Sequence, residues 1–274
     1  MVAVAIVFLV LVIFGVIYIS MIMPRATDQP DMSKILVDYA HRGLFDNKTV
    51  PENSLEAFRR AAEHGFGIEL DVQLTADGHV VVFHDYTLTR VCGADVKVSE
   101  LTLSELRQYK LLGTGYTVPT LTEVLALVNG RVPLLVEVKG ESTNDGVCLP
   151  TARLLDDYNG AFCVESFNPM LLRWFKIHRP EVARGQLVTN LMDGKHKGNR
   201  LVNFMLTGML FNFLSRPDFI ACDVNHTGGP SYYICAKLFR AKRFYWTVRN
   251  REDFEAIRES EAWSIFERFI PKQD

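Results

Sequence analysis

A chain of 274 residues with a net charge of −2 and an ordinary share of apolar residues is long enough for one globular domain with a substantial core. The near balance of acids and bases gives no support for a nucleic-acid partner. Cys92, Cys148, Cys163, Cys222 and Cys235 are odd in number, widely spaced and without a CxxC pair. They read as core thiols in a reducing compartment rather than as a disulfide framework.

The first segment, residues 1–23, holds no charged side chain. As a helix it is about 34 Å long, enough to cross a bilayer core. No basic n-region and no clear small-residue cleavage site mark a secretory signal, so the segment reads as an uncleaved, single-pass transmembrane anchor. No Lys or Arg precedes the apolar run, whereas Arg25 and Lys34 follow it. The positive-inside rule then places the body in the cytoplasm. Residues 24–34, polar and carrying two prolines, form a linker that reaches up to about 38 Å when extended.

Beyond the linker, apolar runs alternate with helical patterns. The runs predict strands at 35–40, 67–74, 79–84, 133–139, 161–166, 184–189, 218–223 and 243–248. Helical patterns fall at 53–64, 120–129, 147–158, 168–178, 198–214, 230–240 and 252–260. Eight strands in βα alternation predict an α/β fold, a (β/α)8 TIM-type barrel over residues 35–274. An open doubly wound sheet is the alternative, since periodicity does not show closure. Residues 85–118 are too long for an ordinary connection and carry their own helical pattern, which makes them a small insertion after the third strand, placed over the active face.

The chemistry lies at the strand ends. In Ile68-Glu69-Leu70-Asp71-Val72 the period of two puts Glu69 and Asp71 on one face, and Glu137 shares a face with Lys139 in the same way. Charges inside apolar strands are costly unless paired or bound to metal. Any one of these acids suits a buried salt bridge with Arg42 or Lys139, but three at the ends of two strands favour a metal site. Oxygen-only ligation points to one divalent cation, Mg2+ or Ca2+. His41 and His84 follow the first and third predicted strands, so a barrel brings both to one rim, where two imidazoles serve as acid and base. His64, His79, His178, His196 and His226 lack such company and read as structural or exposed.

These motifs resemble the glycerophosphodiester phosphodiesterases. The resemblance rests on His41-Arg42-Gly43, Pro51-Glu52-Asn53-Ser54 with Ala57-Phe58, Glu69-Leu70-Asp71-Val72, Thr75 with Asp77-Gly78, His84-Asp85, Glu137-Val138-Lys139 and Trp246-Thr247-Val248. In this order they span residues 36–260. The resemblance implies a barrel with a small insertion and hydrolysis of a glycerophosphodiester to an alcohol and glycerol 3-phosphate. It also implies His41 and His84 as the acid/base pair, Glu69, Asp71 and Glu137 as metal ligands, Arg42 and Lys139 on phosphate oxygens, and Trp246 lining the alcohol pocket.

One segment stands apart. Residues 201–214 (LVNFMLTGMLFNFL) are apolar nearly all round, with Lys195, Lys197 and Arg200 before them and Arg216 after. They are too short to span a bilayer. A buried barrel helix is the plain expectation; the alternative is a helix in the interface of an anionic membrane. That alternative goes with a lipid-derived substrate and lysophospholipase D-like cleavage, whereas the plain expectation goes with a water-soluble diester. A binder without turnover is the third reading, disfavoured by the complete set of site residues.

Overall fold

A computed structural model of the chain describes residues 1–140, 144–194, 198–227 and 229–272. The strands are β1 (Tyr39–Ala40), β2 (Gly67–Leu74), β3 (Val80–Val82), β4 (Leu134–Val138), β5 (Phe162–Ser166), β6 (Arg184–Val188), β7 (Phe219–Asp223), β8 (Lys242–Val248) and β9 (Trp263–Phe266). The helices are α1 (Val2–Ile22), α2 (Leu55–Glu63), α3 (Thr89–Cys92), α4 (Leu103–Leu106), α5 (Leu121–Val128), α6 (Cys148–Asp156), α7 (Pro169–His178), α8 (Arg200–Thr207), α9 (Asn212–Ser215), α10 (Pro230–Tyr233) and α11 (Arg251–Glu259). A π-helical turn, Ile234–Leu238, continues α10.

Eight parallel strands run in the order β1, β9, β8, β7, β6, β5, β4, β2, and pairing of β1 with β2 closes them into a barrel. The closed alternative is therefore the observed one, with strand membership differing from expectation in two places. Residues 80–82 pair antiparallel to β2 and form a ninth strand outside the closed ring. The barrel instead takes β9, four residues that the sequence patterns did not mark. The predicted strand at 35–40 shrinks to Tyr39–Ala40, because residues 33–35 are a turn.

The period of two sorts the strand residues. One set, including Ile68, Leu70, Val72, Val136, Val138 and Val164, packs outward against Phe58, Leu121, Leu171 and Phe175 of the helices. The alternate set, including Tyr39, Leu135, Cys163, Leu187, Phe219 and Phe244, forms a separate cluster inside the ring. Residues 83–118 have a small core of their own in which Val81 and Phe83 meet Leu88, Val91, Val98, Leu106, Leu111 and Val118. That core explains why the insertion stays folded beside the strand that leads into it.

Helix starts follow local chemistry: Ser54 Oγ accepts from Ala57 N, and Thr120 and Glu123 cap α5 reciprocally. The expected helix at 198–214 is two helices, α8 and α9, broken where Gly208 ends the first and Met209 takes a φ of 55°. No residue of α8 is buried, so it is not the barrel helix packed on the sheet that the plain expectation required. Lys195 and Lys197 lie outside the described residues. α1 is long and apolar enough to cross a membrane. The linker is not a free tether at its start: Arg25 N donates to the Pro217 carbonyl and Arg25 Nη1 to that of Pro180, and Pro24 and Met32 are buried.

Candidate active site

β2 and β4 lie side by side in register, with Glu69 opposite Leu135 and Asp71 opposite Glu137. The three carboxylates Glu69, Asp71 and Glu137 are buried and each offers an oxygen within 4.8 Å of the others. β5 adds a fourth acid, Glu165, opposite Glu137 and 1% exposed. Among the described residues, Glu165 Oε2 has no hydrogen-bond partner.

Such crowding shows in the proton affinities. Burial first, and the neighbouring Asp71 second, push the Glu69 carboxyl well above its ordinary value. Burial likewise raises Glu165, reinforced by Glu137 and Asp71. Glu137 is raised by burial against the pull of Lys139. Asp71 goes the other way: burial opposes its charge, yet Lys139, His84 and Arg42 together hold its carboxyl well below the usual range. Lys139 sits between two acids, 3.0 Å from Asp71 Oδ1 and 2.8 Å from Glu137 Oε1. Asn53 Nδ2 donates to Asp71 Oδ2 at 2.8 Å.

The turn after β1 brings the next pair. Arg42 N donates to Glu69 Oε2 at 2.8 Å, which the left-handed φ of 55° at Arg42 makes possible. Its guanidinium reaches Glu52 Oε1 at 2.6 Å and lies 3.6 Å from Asp71. Gly43 follows with a φ of 80°, and a Cβ there would meet the Ala57 backbone at 2.7 Å. Leu44 N donates to that same Ala57 carbonyl, so the turn is seated directly on α2. Glu52 is buried, and against that burial the hydrogen bonds of Arg90 and the charge of Arg42 hold its carboxyl down at about 2.

The histidines stand to either side of the acids. His41 Nδ1 is 2.7 Å from Glu267 Oε2, and its Nε2 is 4.0 Å from Glu69 Oε2. Burial lowers the His41 pKa, with Glu267 pulling the other way. His84 Nδ1 is 2.5 Å from Asp85 Oδ1, and Arg90 braces that carboxylate at 2.6 Å. His84 also pulls down the Asp71 and Glu137 carboxyls. Trp246 lies at the carboxyl end of β8, half-buried, with Nε1 donating to the Ala221 carbonyl and its ring edge-on to Phe167.

All eight residues singled out in the sequence thus end on the carboxyl side of the barrel. Glu267, Glu165 and Arg90 were missed. Glu267 follows β9, so losing that strand hid it. Glu165 is a lone acid in the apolar run Phe162-Cys163-Val164-Glu165, and the alternation argument used for Glu69 applies to it equally. A cavity of about 140 Å³ opens beside Lys139, lined by Gln73, Tyr86, Lys97 and Asn144.

Residues 41–210 match the model of the "Glycerophosphoryl diester phosphodiesterase family". A glycerophosphodiester phosphodiesterase of Caldanaerobacter subterraneus is 34% identical over 80% of this chain and 88% of its own length. Among solved structures, a glycerophosphodiester phosphodiesterase of Thermotoga maritima superposes with a TM-score of 0.63 at 28% identity, over 84% of this chain and 94% of that one. An Oleispira antarctica phosphodiesterase solved with sn-glycerol-3-phosphate gives 0.69 at 22% identity, over 84% and 92%.

Proposed function

The chain belongs to the glycerophosphoryl diester phosphodiesterase family, and from that premise we propose that it hydrolyses glycerophosphodiesters to an alcohol and glycerol 3-phosphate with a divalent cation and two histidines. The observation that carries this reading is the approach of the Glu69, Asp71 and Glu137 oxygens to within 4.8 Å of one another, with His41 and His84 beside them. The donors suit a hard cation. They are all carboxylate oxygens, and burial first and Asp71 second raise the Glu69 carboxyl, a cost that a bound cation would relieve. With Glu52 paired to Arg90 and Glu165 raised toward its neutral form by burial, Glu69, Asp71 and Glu137 counted as ionised against Arg42 and Lys139 leave one net negative charge. A divalent ion, Mg2+ or Ca2+, reverses its sign and matches it to a phosphodiester monoanion.

Glu69, Asp71 and Glu137 would hold the ion, which when bound would supply Lewis-acid charge compensation for the phosphate. Arg42 and Lys139, preorganised by the same acids, bind those oxygens and stabilise the charge that builds during displacement. With Nδ1 donating to Glu267, His41 keeps the lone pair of Nε2 toward the acids, and burial favours its neutral form. It therefore takes the proton of the attacking group: water directly, or the neighbouring glycerol hydroxyl to give a cyclic phosphate that water then opens. His84, donating through Nδ1 to Asp85, returns a proton to the leaving alkoxide. Trp246 borders the space for the alcohol.

Turnover of glycerophosphocholine by the full chain, abolished by chelation and restored by Mg2+ or Ca2+, is the test. His41→Ala and His84→Ala each lower it by about two to four orders of magnitude. Unchanged turnover in both, with folded protein, removes the assignment.

A second reading, lysophospholipase D-like cleavage at a membrane surface, is favoured by one observation. α8 exposes Leu201, Val202 and Phe204, and with 201–214 as an interfacial contact the preferred diester keeps an acyl chain. We also assign residues 1–23 to an uncleaved anchor and 35–274 to the catalytic domain, on the cytoplasmic side. Protease protection of the barrel in sealed cells tests that side.

A further inference from the structure

We infer that α1 is a rigid strut that turns the mouth of the barrel toward the bilayer, so that the diesters it cleaves are resident in the membrane. The substrate part of this inference rests on the phosphodiesterase reading above; the orientation does not.

The last two turns of α1 are built into the barrel wall. Ile22 is 0% exposed, and its carbonyl accepts from Asn212 Nδ2 at 2.9 Å and faces Cys235 Sγ at 3.3 Å. Arg216 Nη1 donates to the carbonyls of Ser20 and Met23 at 3.1 and 3.0 Å. Tyr18 Oη is 2.7 Å from Ser231 Oγ. A helix ends with carbonyls that lack intrahelical partners. Here the barrel supplies those partners, Asn212 from a position 1% exposed. Removal of α1 would leave Asn212 and Cys235 facing a void, which distinguishes this helix from a disposable leader.

The order of these contacts gives the direction. Tyr18 meets Ser231, at the start of the helix that descends from the carboxyl end of β7. Ile22 meets Cys235, one turn lower. Arg25 meets Pro217, which precedes β7, and Pro180, which precedes β6. From residue 18 to residue 25 the chain therefore runs from the rim that carries the acids to the floor. In the other direction, residues 2–17 are all exposed and extend about 24 Å past Tyr18. They leave on the side of the active-site mouth.

α8 stands on that same side. It follows β6 and is tied to the rim by Thr207 Oγ1, which accepts from Leu191 N at 3.1 Å, and by Asn203, which donates to the Leu191 carbonyl. Leu201 and Phe204 are 66% and 54% exposed. A short helix with uncovered apolar side chains, on the same side of the barrel as a span that continues outward, meets the interfacial layer of the bilayer the span enters. The occupant of this surface is therefore lipid, and an acyl chain left on the glycerol would hold a substrate where the mouth opens.

The test uses the full chain in vesicles of phosphatidylcholine and phosphatidylserine. Phe204→Trp on the rim and Asn159→Trp, at an exposed position in the loop that enters β5 on the floor, are compared for quenching by brominated acyl chains. Quenching above the native background for Phe204→Trp and none for Asn159→Trp is expected; no excess for Phe204→Trp, or excess at the floor, overturns the orientation. In parallel, Leu201→Glu with Phe204→Glu lowers turnover of vesicle-bound lysophosphatidylcholine by about tenfold and leaves glycerophosphocholine unchanged. If both substrates are cleaved and the double variant affects neither, the membrane-resident substrate class is wrong while the phosphodiesterase reading stands. If the unsubstituted chain cleaves neither, that reading fails and takes the substrate class with it, and the quenching result still decides the orientation.

Discussion

The two walls of the barrel interior are made by the same alternation and carry opposite chemistry. On β2, β4 and β5 the inward positions hold Glu69, Asp71, Glu137 and Glu165, with Lys139 just beyond β4. On β6, β7 and β8 they hold Leu187, Phe219, Ala221, Phe244 and Trp246, with Asp223 at the carboxyl end of β7. The charged wall is stressed, with three of its acids raised by burial and mutual repulsion. The apolar wall is packed ring to ring, Phe244 lying edge-on to both Tyr39 and Phe219. On the function proposed above, one wall would serve a cation and a phosphate and the other the shape of the alcohol. The division runs by layer as well as by strand, because Leu135 and Cys163 lie inward one layer below Glu137 and Glu165 on β4 and β5.

The sharpest break of that contrast is to discharge the polar wall. Asp71→Asn keeps the shape and lowers turnover by about two to three orders of magnitude; steady-state turnover of glycerophosphocholine measures it. Glu267→Gln is the next largest change. It keeps a partner for His41 but removes the charge that raises its pKa, so turnover falls by about tenfold and the acidic limb of the pH–rate profile moves to lower pH. Trp246→Ala touches only the apolar wall. It is expected to raise KM for a choline-bearing substrate by about fivefold, with kcat nearly unchanged.

The smallest effect concerns acid stability. Glu52 has an ordinary value of 4.5 and is held at about 2 when folded. A depressed carboxyl stabilises above its unfolded value, and that contribution fades as pH falls from about 4.5 through about 2. Thermal melts across that window should fall in the unsubstituted chain and fall less steeply in Glu52→Gln.

How far the sequence carried these walls depends on the kind of signal. Glu69, Asp71 and Glu137 are acids in apolar runs, and the period of two alone places them on one face. Three valines do not say which way they pair, so the apolar run at 79–84 reads as a barrel strand although Val80–Val82 pair antiparallel to β2. The Asp77-Gly78 turn before them, with Gly78 at a φ of 82°, was the available hairpin signal. β9 is four residues at the end of a helix, too short for periodicity, and Glu267 went unseen with it. The break at Met209 is equally silent, since an apolar run looks continuous whether or not its backbone turns. None of the contacts that seat α1 is local, so the linker looked free.

Gly43 carries a consequence of its own. The atom it lacks is the space in which the turn after β1 rests on α2, the helix that follows Glu52 and Asn53. A methyl group at that position would spread turn and helix apart and leave every reacting side chain chemically intact. A random screen for lost activity should therefore recover Gly43 alongside the histidines, and its products would resemble misaligned enzymes rather than disarmed ones.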